Sequence, residues 1–315
     1  MKRTVVLCCG LVCTQLPALA AEPVSKAWLK TMAFAKRQTD YSGIFAYQYD
    51  KHIDRTRITH VTTPDGEYEK LEVLDGSQRE IIRHHGVTWW YRNHALQLQT
   101  QQPHGHFPVL QAEQMTALNQ NYQVKEIGRD KVVGFESQIL LFTPNDKLRY
   151  AQKMWVHSDS GLLLKMAVID DKNQLVEQYE FKQLQIGGNI DRSWVDLQPK
   201  TAPNLPKIAP NETPIKSNWV IDALPPGFNK TKEVLRHMAN KHAPVTQLVF
   251  SDGLTAISVF IEPSDSDEDD VENLSCRGAV CLYHKVVDKF LFTVVGEVPP
   301  KTIVKVLDSI RYNGK

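Results

Sequence analysis

The residues with the most obvious chemical potential lie in RHHGVTWWYRNHALQLQTQQPHGH, Arg83 to His106, which holds five of the chain's eleven histidines. Imidazoles bind zinc or move protons. A structural zinc site needs four ligands at tight spacing, and His84, His85, His94, His104 and His106 bring no thiol or carboxylate at such a spacing. These histidines read as solvated turn residues, and no metal is expected. The run EPSDSDEDDVE, 262–272, has seven acidic residues in eleven. Asp265, Asp267 and Asp269 imitate the start of a calcium loop, but Asp270 stands where glycine is needed and Cys276 where glutamate is needed. Nucleophile elbows, zinc-protease helices, phosphate loops and dinucleotide loops have no match in the chain. No catalytic residue and no cofactor are expected, and the chain reads as a binding protein rather than an enzyme.

These residues sit in a particular kind of scaffold. After one helical pattern through Val24, Trp28, Met32 and Ala35, eleven strand patterns follow between Gly43 and Leu184, separated by short turns such as Asp65-Gly66, Asp75-Gly76 and His85-Gly86. A second short helical pattern through Leu110, Met115 and Leu118 interrupts them. So long an antiparallel sheet curls, and its apolar concave side needs a cover. Two helices leave part of that side open as a greasy groove. The fold class expected is α+β, mostly antiparallel β: a half-barrel with helices on its concave face, followed by a smaller antiparallel sheet of four or five strands with a helix. That last helix begins at Pro299-Pro300 and aligns Ile303, Val306, Leu307 and Ile310.

The start, MKRTVVLCCGLVCTQLPALAAEP, reads as a secretory signal peptide over residues 1–20, with Lys2 and Arg3 before a short apolar run and a small-residue site ending at Ala20. A soluble periplasmic product is expected. Without Lys2 and Arg3, the 37 basic residues fall to 35 against 36 acidic ones, which argues against a nucleic-acid binder. From Asp191, prolines at 199, 203, 206, 210 and 214 make an extended linker. The expected division is therefore 21–190, a linker over 191–217, and 218–315. Cys276 and Cys281 remain after export and can form one disulfide in an oxidising compartment. A ring so small contributes only about 2 kcal/mol.

Several stretches then agree in order with a known family. LDGSQREIIRHHG, YQVKEIGRDKVVGFESQIL, MWVHSDSGLLLKMAVIDDKNQLVEQYEF, SDGLTAISVFIE, RGAVCLYHK and TVVGEVPPKTIVKVLDSI look like the RseB/MucB family of periplasmic sigma-E regulators. The resemblance implies a first domain similar to the lipoprotein carriers LolA and LolB, sensing lipopolysaccharide or mislocalised lipoprotein. It implies a second domain that contacts the periplasmic part of a RseA- or MucA-type anti-sigma factor and shields it from regulated proteolysis. The cysteine pair and the acidic run depart from what the resemblance implies.

Candidate groove residues are Trp28, Met32, Trp89, Tyr91, Leu96, Leu98, Met154 and Met166. Period two puts Trp89 and Trp90 on opposite faces, and Trp89 is assigned to the groove. The alternative reading is a periplasmic lipoprotein carrier, and a homo-oligomer is left open.

Overall fold

The computed structural model describes residues 24–100, 115–196, 212–237, 243–264 and 272–314. Residues 1–20, read from sequence as a signal peptide, most of the expected Pro-rich linker, His104, His106, Leu110 and most of the acidic run lie outside these residues.

Helix α1 (Val24–Gln38) leads into β1 (Tyr41–Tyr49), β2 (His52–Thr63), β3 (Gly66–Val73), β4 (Arg79–His84), β5 (Val87–Arg92) and β6 (Ala95–Thr100). Helix α2 (Met115–Asn121) then precedes β7 (Tyr122–Val132), β8 (Phe135–Pro144), β9 (Ala151–His157), β10 (Leu163–Ile169) and β11 (Leu175–Ile186). These eleven strands form one sheet in the order β6-β5-β4-β3-β2-β1-β11-β10-β9-β8-β7. Two consecutive meanders are thus sewn together where β1 pairs antiparallel with β11, opposing Phe45 to Phe181 and Tyr47 to Tyr179. Short turns with residues in the left-handed region, among them His85 and Asn93, join neighbouring strands.

Alternation along each strand gives the sheet two faces. On one, Phe45, Ile58, Leu71, Ile81, Met154, Met166 and Phe181 enter a core completed by Leu29 and Met32 of α1 and Leu118 of α2. Leu29 and Leu118 are fully buried, so both helices contribute their apolar stripes to this side. On the other face, Val61, Ile82 and Trp89 form a separate cluster with Ile190 and Trp194, which follow β11.

The second sheet is built from β12 (Glu212–Pro214), β14 (Asn229–Arg236), β15 (Val245–Ser251), β16 (Ala256–Pro263), β17 (Asn273–Arg277), β18 (Val280–Val287) and β19 (Phe290–Gly296). It has seven strands, in the order β12-β14-β15-β16-β19-β18-β17, where four or five were expected. The excess comes from its margins. Strand β17 is exposed along its whole length, and β14 reads NKTKEVLR, so neither carries the apolar run that marks a strand in sequence. Glu212–Pro214 was assigned to the linker, and Pro214 is tolerated because β12 is an edge strand. Two further short strands, β13 (Trp219–Ile221) and β20 (Ile310–Tyr312), pair with each other.

Helix α3 (Pro300–Asp308) has proline at its first position and buries Ile303, Val306 and Leu307 against Ile257, Cys281, Tyr283 and Val294. Ile310, expected on the helix face, lies in β20 because the helix has already ended. Among the described residues no helix is long and apolar enough to cross a membrane.

Candidate functional site

The groove residues chosen from sequence divide between the two faces of the large sheet. Trp28 packs half-buried against the helix-covered core, while Met32, Met154 and Met166 are inside it, at 5%, 1% and 5% exposure. Trp89, Tyr91 and Leu96 are on the opposite face, in the cluster with Trp194. Trp90, not Trp89, packs against the helix-covered core. Trp89, Tyr91 and Leu96 therefore do not lie on the helix-covered face where they were expected. The physical origin of this difference is that β5 carries one tryptophan on each face, so period two separates Trp89 from Trp90 without saying which face the helices cover. The side chain of Leu98 lies outside the described residues.

The histidine-rich stretch meets the sheet at one end of the helix-covered face. A cavity of about 400 Å³ is lined there by His60, Glu67, Glu69, Arg83, His84 and His85, among others. His60 is fully buried, stacks on Tyr41 and sits with Nδ1 2.9 Å from the Thr39 carbonyl. Arg83 pairs with Glu69, its direct cross-strand partner. Further along, the exposed His94 pairs with Glu80 at 2.9 Å. Among the described residues, no three His, Cys, Asp or Glu side chains are grouped to hold a metal.

The other end of the same face is occupied by the second unit, through two turns. The first is the β15–β16 turn at Asp252. Asp252 is fully buried: its Oδ1 accepts the backbone N–H groups of Leu254 and Thr255 at 2.9 Å each, and its Oδ2 accepts the hydroxyl of Tyr122 at 2.8 Å. Arg149, from the loop before β9, brings its Nε within 3.1 Å of the same Oδ2. The Arg149 guanidinium also donates to the carbonyl of Pro226 and lies 5.6 Å and 5.1 Å from the ring centres of Tyr122 and Phe228. Asn121 donates to the Asp252 carbonyl, and Thr302 of α3 donates to that of Leu148.

The second turn is the tip of the β17–β18 hairpin, Arg277-Gly278-Ala279. The Ala279 amide donates to Oε2 of Glu177 at 2.9 Å, and the same oxygen accepts the hydroxyl of Tyr47, also at 2.9 Å. Ala279 is 2% exposed and belongs to the core of the first unit. Arg277 reaches Asp54 at 3.0 Å and lies over the ring of Tyr49. One residue pair behind the tip, Cys276 and Cys281 are direct cross-strand partners and are joined by a disulfide.

These contacts place the Glu177 carboxyl in dry surroundings. Burial raises the Glu177 carboxyl above its ordinary value, and the Ala279 amide and Tyr47 hydroxyl offset this only in part. Glu297, just after β19, keeps solvent-exposed surface. Even so, desolvation by its crowded surroundings, then Glu177 and Asp252, push its carboxyl up to about 7. A carboxyl raised in the folded state binds a proton there more readily than in the unfolded chain. The contribution of this carboxyl to stability is then fully present at low pH and is lost as pH rises from about 4.5 to about 7. Unfolding midpoints at pH 5 and pH 7.5 should show that fall, and Glu297→Gln should flatten it. An unchanged slope in the variant would remove Glu297 as its cause.

None of Arg149, Asp252, Tyr122, Tyr47 or Glu177 was singled out from sequence. The partners lie about a hundred residues or more apart, and the only local sign was Ser251-Asp252-Gly253, which reads as an ordinary hairpin turn.

Comparison with known proteins agrees with this two-part build. The family described as MucB/RseB N-terminal domain matches residues 24–199, and that described as MucB/RseB C-terminal domain matches residues 213–311. The chain is 31% identical over 306 residues to the sigma factor AlgU regulatory protein MucB of Pseudomonas aeruginosa, covering 94% of this chain and 95% of that protein. It is 25% identical to the sigma-E factor regulatory protein RseB of Haemophilus influenzae, over 94% and 93% of the two chains. The solved structure of the P. aeruginosa MucA/MucB complex superposes with a TM-score of 0.76 at 30% identity, covering 93% of this chain and all of that one. With both family domains matched in order, the chain belongs to the MucB/RseB family of sigma-factor regulatory proteins.

Proposed function

We propose that this protein is a periplasmic negative regulator of an envelope-stress sigma factor. It binds the periplasmic segment of a membrane-spanning anti-sigma factor of the RseA/MucA type and shields that segment from regulated proteolysis. The observation that carries this reading is the end-to-end likeness to MucB, whose structure in complex with MucA covers 93% of this chain. The absence of any catalytic motif in the sequence agrees with it. A pull-down with the anti-sigma periplasmic segment, followed by a protease protection assay, tests the reading. Retention with protection is expected; no retention, or retention without protection, overturns it.

Lipid is the proposed releasing signal, with the helix-covered face as its site. Met32, Met154 and Met166 fill that face in this structure, so an acyl chain must displace α1 or the inserted hairpin before it can enter. A ligand that needs such a rearrangement favours one arrangement of the two units, and the anti-sigma segment favours the other. Each then weakens the other by the same factor.

Trp28 lies at the margin of this face and Trp89 behind the sheet. Trp28→Ala should weaken binding of a fluorescent acylated peptide by roughly tenfold, the loss of ~1.4 kcal/mol of apolar contact. Trp89→Ala should lower the unfolding midpoint, with ~3 kcal/mol lost from a buried cluster, and leave that affinity unchanged. Equal effects of the two substitutions on affinity would exclude the helix-covered face as the lipid site.

A further inference from the structure

The disulfide Cys276–Cys281 lies directly behind the tip that joins the two units. Strand β18 is anchored in the second core by Cys281 and Tyr283, which are 0% and 1% exposed. Strand β17 has no such anchor. It is exposed at every residue, stands at the edge of its sheet and, among the described residues, pairs with a neighbour on one side only, through five residue pairs with β18. The disulfide ties the strand that cannot hold itself to the one that can. Edge strands with little buried surface belong to the least stable parts of a fold.

What β17 positions is exacting. Gly278 has φ +58°, and a Cβ there would collide with Glu177 and the Tyr47 hydroxyl. The tip therefore fits the helix-covered face of the first unit only with its backbone held in one course. Arg277, the last residue of β17, supplies the contacts to Asp54 and Tyr49. A shift of β17 moves Arg277 and Gly278 together and pulls the Ala279 amide from Glu177.

We propose that Cys276–Cys281 is a thiol–disulfide exchange site for a dithiol reductant, and that its reduction withdraws the Arg277–Ala279 tip from the helix-covered face. Cys276 is exposed and Cys281 buried, so a thiolate of the dithiol attacks Sγ of Cys276. A mixed disulfide forms, the S–S bond breaks, and Cys281 leaves as a thiolate. The second thiolate of the reductant then closes its own disulfide and releases Cys276. Two electrons pass from the dithiol to the protein, and its two protons end on the two cysteines. The reduced protein keeps both sheets and loses the wedge between them, which opens that end of the face. This adds a regulation to the site proposed above and depends on that reading only in what the opened face would bind.

The test uses the full mature chain with dithiothreitol as the dithiol, without denaturant, and needs neither lipid nor anti-sigma segment. Thiol labelling with mass spectrometry follows reduction, and hydrogen–deuterium exchange follows the peptides over 273–287, 41–49 and 175–186. Reduction under native conditions is expected, with exchange at least fivefold faster in the hairpin and also in the two segments carrying Tyr47 and Glu177. The double substitution Cys276→Ala with Cys281→Ala should reproduce that pattern without reductant. A disulfide reduced only in denaturant overturns the exchange site. Faster exchange confined to 273–287 leaves the disulfide as a local staple and overturns the withdrawal. Failure of anti-sigma binding in the separate pull-down would leave these outcomes unaffected.

Discussion

Arg149→Ala is expected to be among the most destabilising single substitutions in this protein, costing about 3–5 kcal/mol, because it leaves Asp252 as a buried charge without its cation. Asp252 has no exposed surface and the Arg149 side chain has 1%. The Tyr122 hydroxyl and two turn amides would still donate to the carboxylate, but none of them neutralises it. The guanidinium also spans from Asp252 to the Pro226 carbonyl and fills the space between Tyr122 and Phe228. Arg149→Lys keeps a charge but not the planar fork that reaches both groups, so an intermediate loss is expected. Urea unfolding measures both. Because the lost contacts join the two units, Arg149→Ala should also separate one cooperative transition into two. A loss below about 1 kcal/mol would show that the pair is not a principal tie between the units.

Gly278→Val should separate the hairpin from the first unit while both sheets stay folded. Two costs add there. A β-branched residue at φ +58° is strained by roughly 1–2 kcal/mol, and its side chain would occupy the space held by Glu177 and Tyr47. The second cost is relieved only if the Glu177 carboxylate and the Tyr47 hydroxyl swing away, which breaks their bond to each other and the Ala279 amide's bond to Glu177. Gly86 is the matched control: it too has positive φ, +73°, but nothing lies within 4 Å of its missing Cβ. Gly86→Val should show the backbone cost alone. Thermal unfolding of the two variants, together with exchange of the Ala279 amide, isolates the wedge. Equal losses at both positions would mean that the hairpin tip contributes nothing to docking.

Much of the scaffold was legible because it is written in short-range terms. Short apolar or alternating runs such as GIFAYQYD and SQILLFT, separated by short turns such as Asp-Gly and His-Gly, specify neighbouring antiparallel strands without reference to distant residues. The eleven strands of the large sheet, α1 and α3 follow from such patterns. The second sheet was under-read where the signal is weak: β14 is rich in lysine and β17 is exposed, and edge strands need no continuous apolar run.

Sequence by itself thus determined most of the elements of the large sheet, the last helix and, through separate stretches along the chain, the family. It also placed two cysteines close enough in the chain, at the end of the acidic run, for one short-loop disulfide. Only the tertiary structure decided which face of β5 the helices cover, and so moved Trp89 out of the groove and Trp90 against its core. Only the tertiary structure brought Arg149 to Asp252 and Glu177 to Ala279. The physical reason is that alternation fixes the relation between adjacent side chains but not the identity of the layer they meet. An ion pair between residues about a hundred positions apart leaves no periodic trace in the chain. The disulfide, a local matter in sequence, became part of the interface once the fold set its hairpin against the first unit's core.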